Sequence, residues 1–269
     1  KEGKPTDLGY YEMDDKFHLV KVEDPTTQQF INDNFQIPKN VFEVDEASVL
    51  VIDDKGRRWR LPKGNERYTE PSLAGNLRIC REVATERDLF NCHGTFYELP
   101  AENADGYAKI RPVASHQLKI NDYASYRGML LLTGVDPEAA ASNEHIVVSD
   151  DGEVAVWIGA IDDLWQLGKP VGKGGPWANS DIKTGEPSDP YLFAFYDKRT
   201  LELRHDAKEA VTFTIQMEPI GHGPWMDYKE VTVPAGETHV EQFPDGIEAR
   251  WVRLVGNQNC KATAQFTYK

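Results

Sequence analysis

The sequence predicts an all-β protein in which propeller-like antiparallel sheets, in a complete or incomplete ring, are followed by a small β-sandwich. Three observations predict this class. Apolar and polar residues alternate with a period of two, turn-forming peptides recur at short intervals, and helix signals are scarce. We expect residues 1–205 to form the propeller-like domain and residues 206–269 to form the sandwich, with a boundary near Asp206.

Runs that alternate, or that are rich in β-branched and aromatic residues, predict the individual strands. They cover residues 17–22, 49–53, 109–113, 146–149, 154–158, 211–217 and 251–255. Turns are predicted where glycine or proline supplies a positive φ or a preset geometry. Their sequences are Asp54-Lys55-Gly56, Asp151-Gly152, Pro234-Ala235-Gly236 and Asp245-Gly246. The tail 248–268 is expected to form a last hairpin around Gly256-Asn257.

Three further segments complete the layout. Residues 26–34 and 137–142 carry the best helix signals, although both are short. Residues 168–190 are so rich in Gly, Pro and small polar residues that they predict one long loop. Segments 47–64 and 145–171 share an order of apolar strand, Asp-Asp turn, Gly and Trp-bearing strand. This similarity is typical of repeated propeller blades and equally of two ordinary hairpins in a sandwich.

Composition narrows the classes of partner. The 30 Lys and Arg residues against 44 Asp and Glu residues give a net charge of −14, which disfavours nucleic acid backbones and anionic membrane surfaces. No apolar run reaches the roughly 18 residues of a membrane-spanning helix. The chain starts without an initiator Met or a signal peptide, as expected of a processed export product or a trimmed chain. The sequence gives no indication of oligomeric state.

Local motifs point to no metal and no cofactor. The histidines show neither HxH nor HExxH spacing, no DxDxDG calcium loop occurs, and the stretch GKPVGKGG misses the Walker spacing. Cys80, Cys92 and Cys260 lack zinc-type spacing. A disulfide between Cys80 and Cys92 and three unlinked thiols both remain open.

The densest group of candidate catalytic side chains lies in residues 78–100. Glu82, Glu86 or Glu98 would supply acid and base function, and His93 and Tyr97 would carry protons. On one strand Glu82 and Glu86 would lie about 13 Å apart, too far for a glycosidase pair, whereas on a helical turn they would lie about 6 Å apart.

The remaining residues of this first group suggest what it would bind. Arg81 and Arg87 would orient or neutralise a uronate. A second acid could come from a later segment, namely Asp162, Asp163, Asp189 or Asp197. The alternative interpretation of the whole group is a structural ion network.

A second group of candidate residues lies between 162 and 197. Trp165, Trp177 and Tyr196 could stack on sugar rings, with Asp197 as a hydrogen-bonding neighbour. The alternative is a satellite core packed under a long loop.

The stretches 81–100, 172–198 and 249–268 resemble the C-terminal portion of uncharacterised secreted bacterial proteins in which a β-propeller precedes a small β-sandwich. The run ARWVRL is also similar to strands of discoidin-type carbohydrate-binding sandwiches. The resemblance implies a secreted or periplasmic location and a role in polysaccharide degradation, and it supplies no catalytic residues. Because 269 residues are few for a full propeller and a sandwich, an incomplete ring and a missing N-terminal part remain open.

These observations favour a secreted protein that cleaves a glycosidic bond in a polysaccharide or oligosaccharide, with a uronate as one possible component. The enzyme would be a glycoside hydrolase or a polysaccharide lyase. A non-catalytic carbohydrate-binding protein and a structural or assembly β protein are the alternatives.

Overall fold

The structure is a computed structural model that describes residues 9–34, 42–68, 79–84 and 87–269, with the backbone alone for 67, 79–84 and 87. The strands are β1 Tyr10–Met13, β2 Leu19–Val22, β3 Phe42–Val44, β4 Val49–Ile52, β5 Arg58–Leu61, β6 Ile79–Ala84, β7 Arg87–Cys92, β8 Thr95–Leu99, β9 Arg111–Ser115, β10 Asp122–Tyr126, β11 Met129–Val135, β12 Ile146–Val148, β13 Ala155–Gly159, β14 Gly172–Ile182, β15 Tyr191–Leu192, β16 Arg199–His205, β17 Val211–Glu218, β18 Met226–Val233, β19 Thr238–Gln242, β20 Trp251–Gly256 and β21 Cys260–Tyr268. The α-helix α1 covers Pro25–Asn34. Short 3-10 helices cover Glu66–Tyr68, Glu102–Ala104, Gly106–Lys109, Pro137–Ser142 and Ile161–Leu167. The all-β prediction is confirmed.

The described strands form five sheets. They are β1-β2, β6-β7-β8-β9, β10-β11-β13-β12, β14-β21-β16-β19 and β18-β17-β20-β15-β5-β4-β3. Among these, the sheet β6-β7-β8-β9 is a four-stranded antiparallel meander, the order found in a propeller blade, and the others have different orders or sizes. None of the five closes into a barrel. The two similar segments of the sequence form the hairpins β4-β5 and β12-β13, which lie in different sheets.

The seven-stranded sheet and the sheet β14-β21-β16-β19 pack as a two-layer sandwich. Their inner faces share one core, in which Trp177 of one layer lies 6.2 Å from Phe213 of the other, measured between ring centroids. Strands from both sides of the predicted boundary at Asp206 take part in both layers. The sandwich therefore also includes six strands that precede Asp206, namely β3, β4, β5, β14, β15 and β16.

Two predictions about connections are wrong. The predicted loop 168–190 contains the eleven-residue strand β14. Its glycines allow close packing, because a Cβ on Gly175 would lie 1.8 Å from the carbonyl oxygen of Ala264 in β21. The predicted tail hairpin is instead a crossing between layers, since β20 pairs with β15 and β17 while β21 pairs with β14 and β16.

The meander β6-β7-β8-β9 separates two cores. Cross-strand partners Phe90 and Tyr97 face the sandwich core, and Phe96 faces a second core against β10, β11 and β13. Side chains alternate along a strand, so Glu98 shares the face of Phe96 and is the one β8 residue that is only half-buried. This alternation brings Glu98 to the open edge of the second core.

Within the described part of the chain, the longest helix has ten residues, and none is long and apolar enough to cross a membrane.

Candidate functional site

The structure describes only the backbone of three predicted site residues, and it does not describe a fourth residue at all. The backbone places Arg81 and Glu82 on β6 and Arg87 on β7, where Glu82 pairs with Asp88. Glu86 falls outside the described residues. The roles predicted for these four residues stay predictions. The Cys80 side chain is likewise not described, so the disulfide with Cys92 also stays open.

His93 is buried in the turn between β7 and β8. It has a left-handed φ of 47° and is 1% exposed. Its carbonyl oxygen accepts hydrogen bonds from the backbone N–H groups of Gly64 and Asn65, at 3.0 and 2.9 Å. Burial lowers the pKa of the imidazole to about 4, so the ring is neutral near pH 7. A side chain that transfers protons to a substrate must be able to contact that substrate, and the buried ring of His93 cannot do so in this conformation.

Tyr97, Tyr196 and Trp177 all lie in the sandwich core. Tyr97 is fully buried, and burial raises the pKa of its phenol well above 10. Tyr196 stacks on Tyr268 with 4.2 Å between ring centroids, and Trp177 is 7% exposed beside Phe213. Stacking of Trp177 or Tyr196 on a sugar would require the core to open.

Glu98 and Trp165, from the two different predicted groups, come together at one surface cleft. The cleft encloses about 60 Å³ and is lined by Glu98, Trp165, Asp88, Asp162 and Arg111 over an apolar floor. Leu89, Val113, Ile161 and Leu164 form that floor. Trp165 is 65% exposed, so its ring is available to a ligand from solvent.

The 3-10 helix Ile161–Leu167 holds this arrangement in place. With three residues per turn, residues i and i+3 of such a helix share a face. Ile161 and Leu164 therefore pack inward, and Asp162 and Trp165 face the cleft. Asp163 and Gln166 form the third face, and Asp163 Oδ2 accepts a hydrogen bond of 2.6 Å from the backbone N–H of Ala160 at the helix start.

Arg111 links the cleft to a second exposed aromatic ring. It pairs across strands with Glu98, and its Nη2 donates a hydrogen bond of 2.5 Å to Glu98 Oε2. The same guanidinium lies 6.0 Å from the ring centroid of Phe195, which is 48% exposed. Arg250 approaches that ring to 5.4 Å, and its Nη1 donates to the carbonyl oxygen of Lys109. We call Trp165, Arg111, Glu98 and Phe195 the platform.

Asp197 lies next to the platform. It accepts a hydrogen bond of 2.6 Å from Lys169 Nζ, and this pairing lowers the pKa of the Asp197 carboxyl. Lys169 follows the helix that carries Trp165, and Asp197 follows Phe195 by two residues. The ion pair therefore connects the two segments that present the exposed rings.

The other acids considered from the sequence have structural roles. Asp189 accepts hydrogen bonds from Arg58 and Arg60, the latter at 2.9 Å, and so joins β5 to the segment before β15. Burial opposes ionisation of Asp189, but the two guanidinium groups outweigh it and lower the pKa of the carboxyl. Asp163 caps its helix. Asp162 alone of the remaining acids lines the cleft with Glu98.

Sequence reasoning missed Arg111 and Phe195. Arg111 lies at the start of an ordinary alternating run, and only the pairing of β8 with β9 brings it against Glu98. Phe195 adopts a φ of 68°, a conformation that is costly for an aromatic residue and that no sequence pattern announces.

The platform presents two kinds of contact group at one surface. Two exposed rings supply apolar faces, and Arg111, Glu98, Asp88 and Asp162 supply hydrogen-bonding groups between or beside them. Among the side chains that the structure describes, no group of three His, Cys, Asp or Glu residues is arranged to hold a metal ion.

Comparisons with known proteins add no function. No protein-family model matches the chain, and no curated protein matches it either. Among solved structures, a crystal structure of PirA is similar to part of the chain, at 17% identity over 37% of this chain and 84% of that one, with a TM-score of 0.22. A score this low carries no argument about fold or function.

Proposed function

We propose that this protein binds a polysaccharide, with the platform as its contact surface. The observation that carries the proposal is the exposure of two rings near one guanidinium: Trp165 lines the cleft together with Arg111, and Phe195 lies 6.0 Å from the Arg111 guanidinium. Both rings leave apolar surface open to solvent, which a sugar ring could cover. The resemblance to secreted polysaccharide-degrading systems supports the same ligand class and an exported location.

Binding on a surface fits the dimensions of the cleft better than enclosure. Pockets that enclose a small ligand usually measure about 300 to 1,000 Å³. The cleft encloses about 60 Å³, so it can hold part of one sugar while the rest of a chain lies across the platform. This favours a ligand that is a long chain.

The charge of the cleft favours a neutral glycan over a uronate polymer. Three carboxylates, those of Asp88, Glu98 and Asp162, face one guanidinium, that of Arg111. The chain as a whole carries a charge of −14. A polyanion approaching this surface would meet repulsion at long and at short range.

The test is affinity electrophoresis against neutral polymers such as xylan, galactomannan and starch, with polygalacturonate and alginate as the acidic set. We expect retardation by a neutral polymer, and Trp165→Ala should weaken it about tenfold or more, as is usual for truncation of a central aromatic contact. The matched control is Phe30→Ala, which removes a similarly exposed ring on α1 (66% against 65%). Equal retardation of wild type and Trp165→Ala would reject the platform.

Glycosidic-bond cleavage is the second candidate function, favoured by the presence of Asp88, Glu98 and Asp162 around one cleft. Glycosidases use two carboxyl groups on either side of the bond. New reducing ends that disappear with Glu98→Gln would support cleavage. Retardation without new reducing ends would support binding of the polysaccharide without cleavage.

A further inference from the structure

Another cavity lies at one end of the sheet β14-β21-β16-β19. It measures about 400 Å³, within the range of pockets that hold small ligands. The start of β14, the end of β21 and the segment after β5 line it, together with Gln117, which follows β9. The charged residues of this lining are Lys63, Glu66, Lys173 and Lys269. We call this cavity the basic pocket.

Two lysines of the basic pocket lie directly opposite each other. Lys63 and Lys173 are antiparallel partners, and the backbone N–H of each donates to the carbonyl oxygen of the other, at 2.8 and 3.0 Å. Side chains of directly opposed residues project to the same face, where like charges repel each other. Among the ion pairs of the described residues, none includes either of these ammonium groups. An anion bound between them would remove the repulsion.

The strand register adds two more lysines to this face. Lys173 pairs with Thr267 of β21, and Lys269 follows Thr267 by two residues, so alternation puts both on the same side of the sheet as Lys173. Lys269 exchanges two backbone hydrogen bonds of 3.0 Å with Lys198, just before β16. Together with the opposed pair, four lysines therefore share one outer face at this end of the sheet.

Lys63 is held in place by backbone oxygens. Its Nζ donates to the carbonyl oxygens of Asp45 and Glu46, the second at 3.1 Å, which leaves one of its three protons for another acceptor. Burial lowers the pKa of this ammonium group, although the carboxylates of Asp45 and Glu46 act to raise it. An anion in the pocket would therefore stabilise the charged form of Lys63.

The basic pocket has the opposite charge to the platform cleft. Three lysine side chains accompany one carboxylate, that of Glu66, among its lining residues, whereas three carboxylates face one guanidinium at the cleft. This local excess of positive charge attracts an anionic group even though the chain carries −14. Gln117 and Thr267 add an amide and a hydroxyl group. A uronate matches this lining, because it carries one carboxylate and several hydroxyls on one ring.

The Lys169–Asp197 ion pair borders both the basic pocket and the platform. Val171 lines the pocket and follows Lys169 by two residues, which span at most about 7 Å. Lys198, on the lysine face, directly follows Asp197. One glycan chain that lies across the platform could therefore place a neighbouring residue in the basic pocket.

We propose that the basic pocket binds one uronate residue of the glycan, with its carboxylate held by Lys173 together with Lys63 and Lys269. The proposal rests on the proposed function, because the neutral part of the same glycan would lie on the platform. It narrows the ligand class to mainly neutral polysaccharides that carry isolated uronate residues, such as a glucuronoxylan. A continuous polyuronate stays disfavoured, since the carboxylates of the platform cleft repel it.

The first test is calorimetric titration of the full chain at low ionic strength. The probes are glucuronate and galacturonate, with glucose and galactose as their neutral counterparts and inorganic phosphate and sulfate as simple anions. At least one uronate should bind more tightly than its neutral counterpart. Lys173→Gln should bind it about three- to tenfold more weakly, as expected when one of several cationic contacts is lost, and Lys269→Gln should act in the same direction. Lys208→Gln removes an exposed lysine beyond the other end of β16 and should change nothing.

The second test joins the basic pocket to the platform. Affinity electrophoresis would compare glucuronoxylan with the same polymer after chemical reduction of its carboxyl groups. The native polymer should retard wild type more strongly than the reduced polymer does. Lys173→Gln should lose this difference and keep the retardation by the reduced polymer, which depends on Trp165.

Three results would overturn the basic pocket. The first is that neither uronate binds, and the second is that Lys173→Gln and Lys269→Gln both bind the uronate as wild type does. The third is that phosphate or sulfate binds more tightly than either uronate. With any of these, retardation by a neutral polymer that depends on Trp165 would leave the proposed function standing. Uronate binding that Lys173→Gln weakens, without retardation by any polymer, would reject the platform and support the pocket.

Discussion

Glu98 and Arg111 are direct cross-strand partners on β8 and β9, joined by a hydrogen bond of 2.5 Å at the edge of the exposed cleft. Both side chains are partly exposed, at 30% and 44%. Solvent screens such a pair, so it contributes little to folding free energy. The pair lines the same cleft as Trp165, so under the proposed function it presents two fixed hydrogen-bonding groups to the glycan.

Arg111→Ala should therefore weaken polysaccharide binding while it leaves the stability of the fold nearly unchanged. We expect the free energy of unfolding to fall by no more than about 1 kcal/mol. Polysaccharide affinity should fall several-fold, because the variant removes a central contact and leaves Glu98 without its partner. Urea unfolding and affinity electrophoresis measure the two effects. Lys183→Ala, which removes another exposed ion pair at 3.4 Å from Glu186, is the control and should change neither. An unchanged polysaccharide affinity in Arg111→Ala would contradict a role for Arg111 in binding.

Two substitutions of Phe195 should differ in stability, because only one of them relieves its backbone strain. Its φ of 68° disfavours any residue with a Cβ, by roughly 1 to 2 kcal/mol. We expect Phe195→Gly to be more stable than Phe195→Ala by about 1 kcal/mol, since glycine adopts this conformation freely. Both variants should lose polysaccharide affinity, because both remove the ring. Urea unfolding of the two variants side by side checks this, and an alanine variant as stable as the glycine variant would refute the strain.

Two buried histidines should lower the free energy of unfolding in mild acid. Burial lowers the pKa of both His93 and His116 from 6.5 to about 4, so the unfolded chain binds more protons between these values. Stability is therefore full above pH 6.5 and falls as the pH drops towards 4, by about 3 kcal/mol for each histidine.

Urea unfolding at pH 7, 6 and 5 measures this slope. The variant His116→Gln should lose about half of it, because His93 remains. Carboxylates with lowered pKa values, such as Asp189, contribute only below their ordinary pKa of 3.8 and so do not mask the effect. A stability that is constant from pH 7 to pH 5 would contradict the prediction.

Asp189 should be important for stability through its two arginines. Arg60 is 9% exposed, and Asp189→Asn would leave it with less of its compensating charge. We expect a loss of about 2 kcal/mol in unfolding free energy at neutral pH. The loss relative to wild type should shrink as the pH falls below 3.8, because Asp189 then binds a proton in the unfolded wild-type chain before it does so in the folded protein, where its pKa is lowered.

Asp181→Asn is the matched control for Asp189→Asn. Asp181 is 86% exposed and lies 4.0 Å from Lys261, so its removal should change stability by no more than about 0.5 kcal/mol. Equal effects of the two substitutions would contradict a structural role for Asp189.

The sequence predicted strands well where alternation was regular, as in residues 211–217, which form β17 from Val211 to Glu218. It failed at β14, because the glycines there serve close approach to Ala264, a contact that depends on a partner strand 89 residues away (264 − 175). The crossing from β20 to β21 also could not be predicted from the sequence, since a Gly-Asn turn can join strands within one layer or between two layers.

The site was predictable in part. Trp165 and Glu98 could be proposed from composition, but their meeting depends on the 3-10 helix folding back over β9, which no local pattern encodes. Trp177 and Tyr196 look the same as Trp165 in a sequence, and only packing decides which ring is exposed. His93 has a similar ambiguity, because a polar residue in a turn is usually exposed and this one is covered by Tyr68 and neighbouring backbone.

If Trp165 contacts a glycan chain as proposed, its indole resonance should respond directly to the sugar. The full chain would be titrated with oligosaccharides cut from the neutral polymer that retards it, and the six tryptophan resonances would be followed together. We expect the Trp165 resonance to move with a saturable dependence, while that of Trp225, whose ring is covered by Arg253 at 4.2 Å, stays in place. Saturable binding in which the Trp165 resonance does not move would contradict it.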